Sequence, residues 1–437
     1  MHLEIERNIN KLIKKTLVNL LFCVIYVNGF CFLAREWIMP VYYSNQLQDS
    51  HINGIIIFIL YIFYFIMAFI MALHKNNVKS FFLWIMWALT ILPLIITYIS
   101  LPKFHDMFDF VMIVFGIFIE ISMVCMINTN LNLKKSKLKV IKYWKWSVII
   151  IIFFVVYRYY SINGVSLFNL DFRKVYEYRF ILRERMTGYL LYIDNWAMNI
   201  FNPCMCAYFL HKRRKVFFVF FFLVQILLFG FSSHKSVLIL VPVVMLIYTL
   251  SPIFLSQISY IPLLALSGMG GLFMLYYFNI RGMILALVDR LFFIPSEVNF
   301  YYYMYYSENG FDYFRHSFLR HFYANNADSL NIAYQIGKTF FYDEAICANT
   351  GFLGSGYAQG GLPILLVYGV IIGILINIID AFTKKIPTRL VLSFISLPML
   401  TLFISGDLPT TLLTGGIIVS LLLLYGISME KHNIHFK

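Results

Sequence analysis

Charge is what this chain has least of. Only 13% of its 437 residues are Asp, Glu, Lys or Arg, against about a quarter in water-soluble domains, and that shortage excludes a soluble enzyme. Cysteine is scarce too. Cys23, Cys31, Cys125, Cys204 and Cys206 lie in apolar stretches and Cys347 stands alone in a polar one, so the sequence offers neither a disulfide framework nor a metal-ligand spacing. Cys204-x-Cys206 reads as buried packing rather than a thiol pair. There is no short repeat, no Walker or dinucleotide glycine fingerprint and no Ser-His-Asp order. A cleavable signal peptide is not expected: Met1 to Lys15 is polar and basic, and the apolar stretch after it lacks a small-residue cleavage site. It reads as a retained first helix.

Acidic residues are the rarer charged kind, 21 against 35 Lys and Arg, for a formal net charge of +14. In a soluble protein that excess would point to nucleic acid. In a chain 61% hydrophobic and 19% aromatic it reads instead as the positive-inside bias of a bilayer protein, with membrane lipid and no nucleic acid as its surroundings.

What is present is length in apolar runs. A bilayer-crossing helix needs about 20 mostly apolar residues, and the sequence predicts an all-α polytopic membrane protein with about 12 such helices (10–12): 16–34, 54–73, 81–101, 110–128, 146–160, 189–210, 216–233, 237–250, 259–278, 357–380, 390–405 and 412–427. The pair within 216–250 is joined only by Ser232-Ser-His-Lys-Ser236, which reads either as a tight outer turn or as part of one re-entrant hairpin. Placing the N-terminus inside puts Lys11, Lys14 and Lys15, the lysines between Lys134 and Lys145, Lys212 to Lys215, Lys384 and Lys385, and Lys431 and Lys437 on the inner side. Both termini are then cytoplasmic.

Two enlarged, helical outer loops, 161–188 and 279–356, break the pattern. On this topology ten of the 14 arginines lie outside and 17 of the 21 lysines inside. Topology is satisfied by either cation, so the split calls for a second cause. The planar guanidinium binds phosphate bidentately and keeps its charge in a partly dry site, whereas lysine is a strongly hydrated point charge. An anionic substrate at the outer face would explain the division, and so would a simple tolerance of Arg for the interface.

In the first loop, Asp171 to Arg185 contains no Gly or Pro and fits a helix. At about 100° per residue, Arg173, Glu177, Phe180 and Glu184 share one face and Tyr176, Arg179 and Arg183 another. Glu177 then neutralises Arg173, while Arg179 and Arg183 form an uncompensated pair that an anion would relieve. The same helix could equally be a solvated one touching lipid headgroups.

The second loop is too long for a plain connector. Arg281 to Phe293 reads as a helix carrying Asp289 and Arg290 and stopped by Pro295. Glu297 follows, then an aromatic run from Phe300 to Tyr306 that suits a membrane interface. Over 311–322, a helical reading puts Asp312, Arg315, His316 and Arg320 on one stripe and Phe314, Phe318, His321 and Phe322 on the opposite one. Such a face could bind an anion and move a proton, or be an ordinary polar face. Asn349-Thr-Gly351-Phe-Leu-Gly-Ser-Gly356 enters a crossing helix whose N–H groups and dipole would point at a bound anion. Glycines for helix packing, with Gly369-x-x-x-Gly373, explain the same residues. Glu120 and Asp194, charges within expected spans, are functional suspects because charge in lipid is costly.

These segments resemble the bacterial oligosaccharide repeat-unit polymerases (O-antigen or capsule, Wzy type). The matching stretches are Arg290-Leu-Phe-Phe-Ile-Pro-Ser-Glu297 with its tyrosine run, Asn349-Thr-Gly-Phe-Leu-Gly into Gly360-Gly-Leu-Pro, and Ser232-Ser-His-Lys-Ser before a crossing helix. Pro295-Ser296 stands where such polymerases usually show Pro-Gly. The resemblance implies a GT-C-like glycosyltransferase in the bacterial cytoplasmic (inner) membrane that needs no nucleotide, metal or other cofactor. It would move a growing glycan from undecaprenyl pyrophosphate onto an incoming lipid-linked repeat unit, alongside a flippase and a chain-length regulator. Arg290, Arg179, Arg183, Arg315 and Arg320, with Asn349 and Gly351, would hold the pyrophosphate, and His316 or Glu297 would be the base. The rival readings are an O-antigen ligase, which would share loops and arginines, and a lipid-linked oligosaccharide flippase or transporter, for which Glu120 and Asp194 are suited. No inverted repeat supports the latter.

Overall fold

The computed structural model describes residues 2–38, 53–74, 77–127, 143–164, 166–186, 188, 190–256, 269–274, 277–278, 289, 292–317 and 331–430. Arg290, Arg320 and most of the span expected at 259–278 lie outside these, and so do the side chains of Tyr176, Phe180, Arg183 and Glu184. Among the described residues every regular element is a helix. Nine are long and apolar enough to cross a bilayer: Glu6–Glu36, Gly54–Leu73, Val78–Ser100, Phe108–Met126, Trp144–Ile162, Lys215–Ser232, Lys235–Ile253, Phe352–Phe382 and Leu408–Ser428. Thr388–Ile404 is apolar and shorter. The chain is a polytopic helical membrane protein.

The segment 216–250 resolves into two full helices, Lys215–Ser232 and Lys235–Ser256, reversed over Ser233 in the left-handed region at φ 52°. The expected span 189–210 is not one α-helix. Leu190–Trp196 passes through a π turn, Ala197–Phe201, into Asn202–His211. Val78–Met86 passes through the π turn Trp87–Ile91 into Leu92–Ser100 in the same way. Each π turn ends just before a proline, Pro203 or Pro93. A helical proline donates no hydrogen bond and its ring crowds the carbonyl four residues back. The wider turn relieves that clash and hands the bond to i−5, as from Leu92 N–H to the Trp87 carbonyl and from Asn202 N–H to the Ala197 carbonyl.

Contacts divide the chain into two compact units. The first comprises Met1–Asn128, Ile253–Asn377 and Leu402–Leu408. Its centre is Val78–Ser100, where the Trp84 and Trp87 rings lie 5.0 Å apart and meet Phe22 and Phe118. Lys79 donates to the Cys125 and Ile127 carbonyls at 2.9 and 3.3 Å, closing the C-terminal end of Phe108–Met126 with a cation. Glu120 on that helix lies against Gly369, and Val124 against Gly373. Asn377 continues the stripe by donating to the Val124 carbonyl at 2.8 Å. Residues four apart share a helix face, so Gly369, Gly373 and Asn377 form one groove that lets two backbones approach.

Gly351 is buried directly against the backbone carbonyl of Phe403. A methyl group there would meet backbone, which cannot rotate away. Gly351→Ala is expected to cost about 1–3 kcal/mol through overpacking, read as a lower melting temperature of the purified protein in detergent. An unchanged melting temperature would show that the backbone yields at no cost.

The second unit comprises Thr129–Pro252, Ile378–Thr401 and Pro409–Lys437. A buried amide pair organises it. Asn202 donates to the Phe221 carbonyl and to Gln225, and Gln225 donates to the Met198 carbonyl in the π turn and to the Val237 carbonyl at 2.7 Å. At another point Glu430 accepts from Trp144 and Tyr208 and pairs with Lys145 at 3.0 Å.

Candidate functional site

In the first unit, most of the helix expected at 281–293 lies outside the described residues, and Pro295 occupies the first turn of the helix Ile294–Asn309. That position fixes the next side chains. Ser296, Glu297 and Asn299 are all buried. Glu297 is ion-paired with Lys103 of the 101–107 connection and accepts from Tyr301 at 2.7 Å. Burial and this carboxylate push the Tyr301 hydroxyl above its usual range, so it acts as a neutral donor.

Asn299 donates to the Pro295 carbonyl and accepts from Thr350 Oγ1 and from Gly354 N–H, both at 2.8 Å. The start of Phe352–Phe382 is therefore capped from within. Gly354 N–H, expected to point at an anion, is taken by Asn299. Asn349 itself is exposed and accepts from Cys347 at 3.4 Å.

Residues 311–317 are not the expected amphipathic helix. They form successive turns, with Tyr313 and Phe314 at positive φ (51° and 66°). Side-chain-sized residues are held there by the following segment. Asp312 N–H and Tyr313 N–H donate to the Ala358 and Gln359 carbonyls at 2.8 and 3.1 Å, and Phe314 N–H to Gln359 Oε1 at 2.6 Å. Gly361, at φ 64° in the kink of Phe352–Phe382, packs on Phe311. The turn still brings two stripe members together: His316 Nδ1 is bonded to the buried carboxylate of Asp312. Arg315, beside them, is exposed.

A second carboxylate, not singled out by the sequence, stands near this pair. Asp407 accepts from Tyr368 at 3.1 Å, from Leu408 N–H at 2.9 Å and from Ser355. Burial raises its proton affinity, the three donors oppose that, and the negative charge of Asp312 adds to it. Nothing in the local sequence around Gly406-Asp-Leu marks it, since its side-chain partners Tyr368 and Ser355 are 39 and more residues away. Lys103 and Gln359 were equally invisible for that reason.

In the second unit, the first-loop helix is shorter than expected, Val175–Arg185. Arg173 precedes it, with its N–H on Asp171 Oδ1 at 2.9 Å, and no Arg173–Glu177 ion pair forms among the described residues. Arg179 is exposed on this helix. It acts electrostatically on His234 in the turn before Lys235–Ser256, and burial together with that cation pushes the His234 imidazole down to about 4. Arg183 is in the helix, with its side chain outside the description.

Asp194 is buried and ion-paired with Arg158 of Trp144–Asn163. The pair explains how both charges sit in apolar segments. Beside it lies a cavity of about 180 Å³ lined by Tyr159, Asp194, Asn195, Asn199, His234 and Ser236, among others. No group of three His, Cys, Asp or Glu side chains among the described residues is placed to hold a metal ion.

Comparison with protein-family models, with curated proteins and with solved structures finds no match to this chain.

The His234 shift carries a sign. A histidine near its ordinary value of about 6.5 when unfolded, and well below that when folded, binds fewer protons in the native state. Its neutral form is favoured at and above neutral pH, and stability is lost as pH falls below about 6.5 toward 4. The melting temperature is expected to drop between pH 7 and about 5, with the drop reduced in His234→Gln. An equal drop in that variant would assign the effect to other groups.

Proposed function

We propose that this chain is a GT-C-like polymerase of the Wzy type, joining undecaprenyl-pyrophosphate-linked oligosaccharide repeat units at the outer face of a bacterial cytoplasmic membrane, with both termini cytoplasmic. The observation that carries the reading is the Asp312–His316 pair. A base whose second ring nitrogen is oriented by a carboxylate is the arrangement that activates a hydroxyl. With Nδ1 held by Asp312, Nε2 is the nitrogen that takes the proton of the acceptor sugar hydroxyl. That oxygen attacks the anomeric carbon of the donor glycan, the bond from that carbon to the pyrophosphate oxygen breaks, and undecaprenyl pyrophosphate leaves with the electron pair.

Of the two candidate bases, His316 is preferred. Glu297 is engaged by Lys103 and Tyr301, which a substrate hydroxyl would have to displace to reach it. Arg315 is adjacent to the pair in sequence, and with Arg290, Arg320, Arg179 and Arg183 it is proposed to spread the charge developing on the leaving pyrophosphate. Asn349 remains a proposed contact, being exposed, whereas buried Gly351 serves packing. The flippase reading leaned on Glu120 and Asp194. One packs against Gly369 and the other is neutralised by Arg158, which favours an enzyme.

The test is the surface-glycan ladder of a strain lacking this chain. A polymerase predicts acceptors carrying one repeat unit and no longer product. A ligase predicts long polymer that is not attached, and a flippase predicts loss of all surface repeats. Either of the last two outcomes overturns the proposal.

A further inference from the structure

The cavity of the second unit is built from groups that the proposed chemistry of the first does not use. Its floor is ionic but balanced: Asp194 is buried with Oδ2 on Arg158, and its Oδ1 has no hydrogen-bond partner among the described residues. A buried acceptor left without a donor costs about 1–3 kcal/mol, more when charged, so its persistence calls for a donor supplied from outside the chain. Two amides stand next to it. Asn199 Nδ2 donates to Asn195 Oδ1, and Asn195 Nδ2 donates to the Thr414 carbonyl at 2.7 Å. That chain of bonds fixes which way both amides face. Tyr159 and Ser236 add hydroxyls, and His234 supplies an imidazole kept uncharged at neutral pH.

The shape of the cavity is set by the proline effect already described. The π turn before Pro203 carries both Met198 and Asn199, and Gln225 ties the Met198 carbonyl to the Val237 carbonyl on the opposite wall. The walls are thus cross-linked by a buried amide rather than left to side-chain packing, as a preformed binding site requires. π turns recur at functional positions for the same reason.

The lining selects a ligand by charge. An anion would meet the unsatisfied Asp194 oxygen, and a cation would meet, at the His234 side, the field of Arg179. A ligand of many hydroxyls fits both demands: it donates to the carboxylate and exchanges bonds in both directions with amides, hydroxyls and a neutral imidazole. We infer that the second unit carries a binding site of its own for one uncharged sugar residue, centred on Asp194, Asn199, His234 and Ser236. This site rests on its lining alone and stands whether the chain polymerises, ligates or transports glycans.

The experiment uses the full chain in lipid nanodiscs and saturation-transfer NMR, with glucose, galactose and N-acetylglucosamine as probes and inorganic pyrophosphate as the charged control. At least one sugar is expected to bind saturably at about millimolar concentration. The affinity is expected to fall about tenfold or more in Asn199→Leu, which fills the cavity, and in Ser236→Ala, which removes one hydroxyl at nearly constant volume. Both variants are read only at a wild-type melting temperature, and His234→Phe replaces either that fails this check. Three results overturn the site: no sugar saturates, sugar binding is indifferent to these variants, or pyrophosphate binds where the sugars do not. Sugar binding with a flippase ladder in cells would keep this site and remove the polymerase reading. The converse would remove the site alone.

Discussion

His316→Ala is expected to abolish the glycan ladder, leaving acceptors with a single repeat unit. A positioned general base contributes about 10²–10⁴-fold, and at the lower bound chains longer than a few units would already vanish. Asp312→Asn is expected to cut product strongly as well, through the tautomer and charge of the imidazole rather than by its removal. The amide keeps a contact to Nδ1 and loses the charge that stabilises the imidazolium formed when Nε2 accepts a proton. The loss should therefore fall on kcat with KM for the lipid-linked acceptor little changed, which a merely structural role for Asp312 would not produce. Protein level in the membrane and melting temperature must match wild type in both. A full-length ladder from His316→Ala at normal abundance would remove His316 from the chemistry. Glu297→Gln, tested in parallel, should retain chain extension if Lys103 and Tyr301 hold that carboxylate in a structural role.

The second large effect is on stability. Arg158 and Asp194 are 8% and 3% exposed and bonded to each other. Removing one partner leaves the other charged and buried, at a cost of about 3–5 kcal/mol. Asp194→Ala and Arg158→Ala should each lower the melting temperature in detergent sharply or fail to accumulate. The double replacement Arg158→Met with Asp194→Leu should recover most of the loss, because a buried ion pair contributes little over apolar residues of similar size. If the double variant is as unstable as the sum of the singles, the two charges are not coupled and the ion pair is not what holds this region. The recovered double variant would also have lost the carboxylate proposed to bind sugar, so it separates the stability role of Asp194 from its ligand role.

The turn at 311–317 shows where periodicity fails as a guide. The pattern Asp312, Arg315, His316 is compatible with a helix face, yet Tyr313 and Phe314 lie at positive φ. Three backbone N–H groups there are satisfied by Ala358 and Gln359, more than forty residues along the chain. A tertiary partner outbid the local helical bonds, and no window of the local sequence contains that partner. Proline both ends helices and begins them, and Pro295 lies in the first turn of Ile294–Asn309. By contrast, a packing role for Gly369 and Gly373 could be read from their spacing, although their partner helix Phe108–Met126 could not.

The sequence by itself determined the class of the molecule and the place of nearly every described crossing helix. Twenty apolar residues in lipid have no means of satisfying their backbone except as a helix, so composition and length suffice. It also determined that arginine and lysine are sorted along the chain, since that is a property of order alone. Only the tertiary structure decided what the rare charges do. A carboxylate is a base, a counter-ion or a packing contact according to what lies within hydrogen-bond reach. For Asp194 that is Arg158, for Asp312 His316, for Glu297 Lys103, and for Glu120 a glycine. Such neighbours lie four residues away in one case and far along the chain in the others, and chain folding alone brings them together.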